Sequence, residues 1–88
     1  MSRTFGIEFS AHAQRQGDKL PQAIKWRIIR AVRRLAKNPF PKGVRKLAGS
    51  DYYRLRVGDY RVIYEVHRDK LFILVIRIGH RKDIYRST

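Results

Sequence analysis

The sequence predicts an α+β fold, in which two N-terminal helices pack on one face of a mostly antiparallel four-stranded sheet. Three observations support this prediction: an alternating apolar pattern begins the chain, two segments of helical character follow, and three alternating segments fill the second half. Strands joined by short turns pair antiparallel, and helices that precede them cover one face of their sheet. The 88 residues suffice for one domain, so residues 1–88 are expected to form it alone.

The first strand is expected from Arg3 to Phe9, where apolar residues alternate with polar or small ones. Ser10 then suits the N-cap of a short helix from about Ala11 to Asp18, because its hydroxyl can accept a hydrogen bond from the first helical turn. The predicted buried side chains of the strand are Phe5, Ile7 and Phe9.

A second helix is expected from Pro21, which suits a first turn, to about Lys37, where Asn38-Pro39 ends it. Its apolar residues recur at helical spacing and predict one buried stripe. The stripe consists of Ile24, Ile28, Ala31, Val32 and Leu35. Basic residues cover much of the remaining surface: Lys25, Arg27, Arg30, Arg33, Arg34 and Lys37.

A loop is expected over Phe40 to Asp51, with a brief strand at Val44 to Leu47. Three strands follow, and Gly58-Asp59 between the first two has the composition of a two-residue hairpin turn. A second turn is expected near Arg68-Asp69. The three strands are Tyr52 to Val57, Tyr60 to His67 and Leu71 to Gly79.

The charge is extreme, because 21 Lys and Arg face 7 Asp and Glu, for a formal net charge of +14. Such an excess attracts polyanions, so nucleic acid is the first candidate partner and an acidic protein the second. No membrane partner is expected, since the longest apolar stretch, Leu71 to Ile76, is far shorter than a span of about 20 residues. Without cysteine or a secretory signal pattern, the expected location is the cytoplasm.

Pairing across the Gly58-Asp59 turn brings arginines together, because Arg56 then opposes Arg61 with Arg54 two residues along. Like charges that oppose each other directly in a sheet are destabilising, and a bound polyanion would remove this repulsion. The alternative is a basic face that is simply solvated; for the helix cations we expect only a general electrostatic footprint. The predicted apolar face carries Tyr53, Leu55, Val57, Tyr60, Val62 and Tyr64. The opposite face carries Tyr52, Arg54, Arg56, Arg61 and Ile63.

The C-terminal segment adds further cations and two groups that could move protons, His80 and Tyr85. Either could instead be structural, as a strand-end histidine or an aromatic at the edge of the core. No acidic cluster for metal catalysis and no Gly-rich phosphate loop is present, so no metal or other cofactor is expected. The remaining groups suit RNA cleavage, in which the 2′-hydroxyl attacks and cations stabilise the phosphorane.

Three stretches resemble the RelE-type toxins of the RelE/ParE toxin–antitoxin superfamily, and the element order resembles theirs too. They are K-L-A-G at Lys46–Gly49, Y-R-L-R-V-G-D-Y-R-V-I-Y at Tyr53–Tyr64, and V-I-R-I-G-H-R-K-D-I-Y at Val75–Tyr85. The resemblance implies a metal-independent endoribonuclease that cleaves mRNA in the ribosomal A site. It also implies a cognate acidic, RelB-like antitoxin. Members on the ParE side act on DNA gyrase instead, and that is the alternative function.

The resemblance also assigns site residues. Those it implies to be catalytic are Arg54, Arg56, Arg61, Arg81 and Tyr85. Nucleic-acid binding is expected at Arg54, Arg56, Arg61, His80, Arg81 and Lys82. Some members carry lysines at the positions of Arg54 and Arg56, and an arginine keeps the positive charge but is poorly suited to proton transfer.

Overall fold

The structure is a computed structural model that describes residues 4–80. Its described part contains a five-stranded sheet in the order β1-β5-β4-β3-β2, with β1 parallel to β5 and every other pair antiparallel. The α+β class is confirmed, and the brief predicted strand joins the sheet as a fifth one. The elements are β1 (Gly6–Phe9), α1 (Ala11–Asp18), α2 (Gln22–Leu35), β2 (Arg45–Lys46), β3 (Tyr52–Val57), β4 (Tyr60–His67) and β5 (Phe72–His80).

The β3–β4 hairpin has the predicted register: Val57 pairs with Tyr60 and Arg56 pairs with Arg61. The turn requires a left-handed residue, and Gly58 supplies it with a φ of +59°. A residue with a Cβ would be strained there. The alternation of side chains along the two strands therefore divides apolar from basic residues as the sequence predicts.

The core lies between the helices and one face of the sheet. From α2 it receives Ile28, Val32 and Leu35, which are almost completely buried. The prediction for Phe9 is wrong, because β1 is an edge strand and leaves this side chain 36% exposed. The sheet contributes Val62, Tyr64, Ile73, Val75 and Ile78 to the same cluster. None of the helices within residues 4–80 is long and apolar enough to cross a membrane.

The two helices begin and end within about two residues of the predicted bounds. The Ser10 hydroxyl caps α1 as predicted, by accepting a hydrogen bond from the Ala13 backbone N–H at 3.0 Å. Pro21 is the N-cap of α2 and not a residue of its first turn, since its ψ of 145° is extended. The helix ends at Leu35, and Lys37 lies in the turn that follows.

Strand β5 contains one extra residue, Ile76, because Val75 pairs with Tyr64 while Arg77 pairs with Ile63. The Ser10 hydroxyl donates a hydrogen bond to the Ile76 carbonyl at 3.0 Å. Beyond this β-bulge, β1 no longer pairs with β5, and the Ile78 N–H donates to Oε1 of Gln16 at 2.7 Å. The cap and a side chain of α1 thus hold the end of β5, and they satisfy backbone groups that lack a strand partner.

Tyr64 joins the loop after α2 to the centre of the sheet. Its hydroxyl donates a hydrogen bond of 2.6 Å to the Pro39 carbonyl, and its ring stacks on Tyr53 with 5.8 Å between centroids. Tyr53 in turn meets the edge of Phe40 at 4.9 Å. Burial of the Tyr64 hydroxyl, with a smaller effect from Tyr53, raises the pKa of Tyr64 well above its usual range, so it remains a donor.

We expect Tyr64→Phe to lower the free energy of unfolding by about 1–2 kcal/mol, because it leaves the Pro39 carbonyl without its donor. Urea denaturation monitored by circular dichroism measures this change. Tyr52→Phe is the matched control, since Tyr52 is an exposed residue of β3, and its effect should stay within about 0.5 kcal/mol. Equal effects of the two substitutions would show that the hydrogen bond does not stabilise the fold.

Candidate nucleic-acid interface

Five arginines share the face of the sheet that points away from the helices, and we call them the arginine face: Arg45, Arg54, Arg56, Arg61 and Arg77. Their strand partners establish the arrangement. Arg45 pairs with Arg54, which pairs with Ile63, which pairs with Arg77. Paired residues direct their side chains to the same face, so four strands contribute to one cationic surface around Ile63.

Arg61 is the unusual member, because only 4% of its surface is exposed. Among residues 4–80, its buried Nε–H has no hydrogen-bond partner, and its Nη1 has a single one, the Tyr60 carbonyl at 3.5 Å. No carboxylate in the described part of the chain lies within ion-pair distance of it. A buried charged donor without a partner is costly, and an anionic oxygen would satisfy it.

The position of Arg61 explains its burial. It lies in β4, the central strand of the sheet, and its partners are Arg56 on one side and Gly79 on the other. Arg56 is exposed to solvent, whereas Arg61 is buried, so a basic face that is simply solvated does not describe Arg61. The opposed pair remains a like-charge contact that a bound anion would relieve.

Two members of the arginine face were not among the predicted site residues. Arg45 lies on β2, where only its pairing with Arg54 reveals which face it joins. Simple alternation along β5 would place Arg77 beside Val75 in the core. The extra residue Ile76 shifts the alternation of side chains by one position. Arg77 therefore lies on the arginine face and Ile78 lies in the core.

His80 is not brought together with the arginines. It pairs with Tyr60, whose side chain lies on the helix side of the sheet, and the two rings meet edge to face at 5.4 Å. The structure therefore places Arg54, Arg56 and Arg61 together and His80 on the other face. The remaining predicted site residues, Arg81, Lys82 and Tyr85, lie outside the described residues.

Comparisons with known proteins agree on one family. Residues 7–85 match the family model described as the ParE toxin of the type II toxin–antitoxin system parDE. The chain is 31% identical to toxin RelG of Mycobacterium tuberculosis, over 93% of this chain and 97% of that one. It is 30% identical to the putative toxin RelE1 of Methanocaldococcus jannaschii, over 94% and 97% of the two chains.

The fold has a similar counterpart among solved structures. An archaeal RelE–RelB complex from Pyrococcus horikoshii contains a chain that superposes with a TM-score of 0.81 at 30% identity. The match covers 91% of this chain and 98% of that one. A match of this extent covers both helices and also the sheet, whose strands carry the arginine face.

Arg61→Met is expected to raise the free energy of unfolding by about 1 kcal/mol, because it replaces a buried unpaired charge with an apolar side chain of similar length. Urea denaturation measures this change in the free energy of unfolding. Arg56→Met removes the exposed charge opposite and should change stability by no more than about 0.5 kcal/mol. A clear loss of stability in Arg61→Met alone would show that the guanidinium is satisfied within the fold.

Proposed function

Because this chain belongs to the RelE/ParE family of toxins from type II toxin–antitoxin systems, we propose that it is a ribosome-dependent endoribonuclease. It cleaves mRNA in the ribosomal A site and so inhibits translation in the cytoplasm. The observation that supports this best is Arg61, a buried cation of the arginine face whose Nε–H finds no acceptor within residues 4–80. A phosphate of the RNA backbone would supply the missing acceptor.

The chemistry requires little from the protein beyond charge and orientation. RNA carries its own nucleophile, the 2′-hydroxyl, which loses its proton as it attacks the adjacent phosphorus and produces a dianionic phosphorane. Collapse of the phosphorane breaks its bond to the 5′-oxygen, which takes up a proton as it leaves, and the other product is a 2′,3′-cyclic phosphate. Arg61 and Arg81 stabilise that growing charge, while Arg54 and Arg56 hold the flanking backbone. The Arg61 donors are in place before the reaction, since burial holds this side chain. Arginine has too high a pKa to act as the base or acid at neutral pH.

Proton transfer is therefore assigned to Tyr85, with Lys82 contributing to RNA binding beside Arg81. His80 is a weaker candidate for either role, because its ring packs on Tyr60 behind the sheet. A site that contains many cations and few proton-transfer groups depends strongly on how its substrate is oriented. The ribosome would supply that orientation by presenting mRNA in one geometry, which explains why cleavage would require it.

We expect the purified protein to cleave mRNA in a cell-free translation reaction, and Arg61→Met to lower the rate by about 10²–10³. Lys42→Met, in an exposed loop, should cleave at the wild-type rate. Primer extension on the translated message measures both. Because Arg61→Met is also expected to be more stable than wild type, its loss of activity cannot be attributed to unfolding.

The same assay tests Tyr85. If its hydroxyl transfers a proton, Tyr85→Phe and Tyr85→Ala should lose activity together; if its ring stacks on a base, only Tyr85→Ala should do so. Intact message in the presence of a wild-type protein that still arrests growth would contradict the nuclease proposal.

A cognate antitoxin is the second part of the proposal. The Pyrococcus horikoshii and Escherichia coli structures similar to this chain are RelE–RelB complexes. The arginine face and the charge of +14 suit an acidic, RelB-like chain that covers this face and the adjoining sheet edge. Such a chain would neutralise the opposed Arg56–Arg61 pair and prevent contact with mRNA.

We expect an acidic chain encoded beside the gene to co-purify with this protein and to stabilise it by about 4 kcal/mol at a thousandfold excess over Kd. Differential scanning calorimetry measures the shift. Arg56→Glu should weaken the complex, whereas Lys70→Glu, in the β4–β5 turn, should not. Equal weakening by both would place the antitoxin elsewhere.

Inhibition of DNA gyrase is the alternative function, favoured by the match of residues 7–85 to a family described as ParE toxins. It requires a protein-binding surface and no catalysis. A supercoiling assay with purified gyrase distinguishes the two: inhibition without any cleavage of translated mRNA would support the alternative. A buried arginine whose Nε–H finds no acceptor within residues 4–80 has no evident role in it.

A further inference from the structure

The outer side of α2 carries a second basic surface, which lies behind the sheet from the arginine face. We call it the outer stripe and define it as Trp26, Arg30, Arg33 and Arg34. All four are exposed, and they lie along one side of the helix, because Arg30 follows Trp26 by four residues and precedes Arg33 and Arg34 by three and four. The opposite side of α2 is buried in the core through Ile28, Val32 and Leu35. The outer stripe thus lies on the side of α2 that faces away from the core.

The charges of the outer stripe are not explained by stability. Arg33 and Arg34 lie in the last turn, where cations interact favourably with the helix dipole, but Arg30 lies in the middle. Like charges at spacings of three and four residues repel, and α2 contains no acidic residue. Within residues 4–80, the ion pairs are Lys25–Asp18 and His67–Glu65, so these arginines have no carboxylate partner.

Trp26 adds a different kind of group to this surface. It is the single tryptophan of the chain, and 47% of its surface is exposed beside Arg30, one helical turn away. An exposed aromatic ring among arginines is the combination that binds single-stranded nucleic acid, where the ring stacks on a base and the cations contact phosphates. From Trp26 to Arg34 the helix rises about 12 Å, enough to face several successive phosphates.

We propose that the outer stripe is a second RNA-binding surface, which takes an unpaired base against Trp26 and the phosphates of an adjoining stem against its arginines. The proposal does not depend on cleavage at the arginine face. The two surfaces lie on opposite sides of the protein, so they contact two different RNA segments. The helix cations are then a specific site and not only a general electrostatic footprint.

Other partners fit this surface less well. A membrane-bound helix needs a free apolar face, and that of α2 is occupied by the core. An acidic peptide helix needs a groove with apolar anchors. Such a groove lies between α1 and α2 with Arg33 at its lining, but Trp26, Arg30 and Arg34 lie outside it. Phosphates need only the arginines.

Trp26 makes the proposal directly testable, because the tryptophan emission of this chain comes from the outer stripe alone. The probe is a stem–loop RNA with an adenine-rich loop, methylated at every 2′-hydroxyl so that it cannot be cleaved. We expect it to quench Trp26 emission and to protect Trp26 from acrylamide. The same stem closed as a blunt duplex should protect it much less, since it has no unpaired base.

Two double variants distinguish a specific binding site from a general effect of net charge. Arg30→Gln/Arg33→Gln should weaken the quenching transition roughly tenfold and lower the salt dependence of log K by about 2. Lys42→Gln/Lys70→Gln removes the same charge from exposed positions in two loops and should leave the transition nearly unchanged. Glutamine favours helix almost as well as arginine, so the variant helix is expected to form, which circular dichroism checks.

Three outcomes would overturn the proposal. Trp26 could remain fully accessible to acrylamide when RNA is bound, which would place the RNA elsewhere. The two paired variants could weaken the transition equally, which would leave only net charge. An acidic antitoxin could protect Trp26 while RNA does not, which would make the outer stripe part of a protein interface. None of these results would alter the mRNA cleavage assay, so the two proposals fail independently.

Discussion

The extra residue in β5 determines which side chains face which side of this sheet. On one side of Ile76 the strand places Val75 in the core, and on the other side it places Arg77 on the opposite face. Without the bulge, the alternation of a strand would carry Arg77 into the apolar core, at the large cost of burying a charge there. Helix α1 stabilises the irregularity, because Ser10 bonds the Ile76 carbonyl and Gln16 accepts from the Ile78 N–H. The first helix is thus a support for the arginine face, although it contributes none of its residues.

The arginine face opposes the stability of the fold that carries it. A domain of this size has a free energy of unfolding of about 5–10 kcal/mol, and one unsatisfied buried charged donor such as Arg61 Nε–H costs about 1–3 kcal/mol of it. The exposed Arg56 adds repulsion directly opposite. Tyr64 works in the other direction, since its hydroxyl and ring join the loop at Pro39 to the centre of the sheet. Binding of an anion would offset the cost at Arg61, so binding and stability are linked at this residue.

The layers of the fold keep two basic surfaces apart. The arginine face lies on one side of the sheet, the apolar core on the other, and α2 covers the core with its outer stripe turned outward. Under the two proposals, each surface would therefore contact a different RNA segment. The two proposals together describe a protein that works between RNA segments, with a buried cation for chemistry on one side and an exposed tryptophan for docking on the other. A decoding site enclosed by ribosomal RNA would be a suitable environment for such a protein.

Local patterns in the sequence were sufficient for the hairpin and for three of the five residues of the arginine face. The Gly58-Asp59 turn favours one register, and that register by itself puts Arg54, Arg56 and Arg61 on one face. The N-cap at Ser10 likewise follows from a single residue and its position. A hairpin turn and an N-cap depend on residues that are close together in the chain, so the sequence alone is enough to predict them.

Only the tertiary structure decided how deep each residue lies and which distant strands meet. Phe9 has the alternation of a buried strand residue but is exposed, because β1 forms an edge. Arg45 and Arg77 join the arginine face through a two-residue strand and a bulge, and neither irregularity has a periodic signal. His80 lies behind the sheet because β5 ends in register with Tyr60. The sequence by itself determined that arginines would converge on a hairpin. The sheet around that hairpin determined that one of them would be buried with an Nε–H that lacks an acceptor within residues 4–80, because burial depends on every neighbouring strand at once.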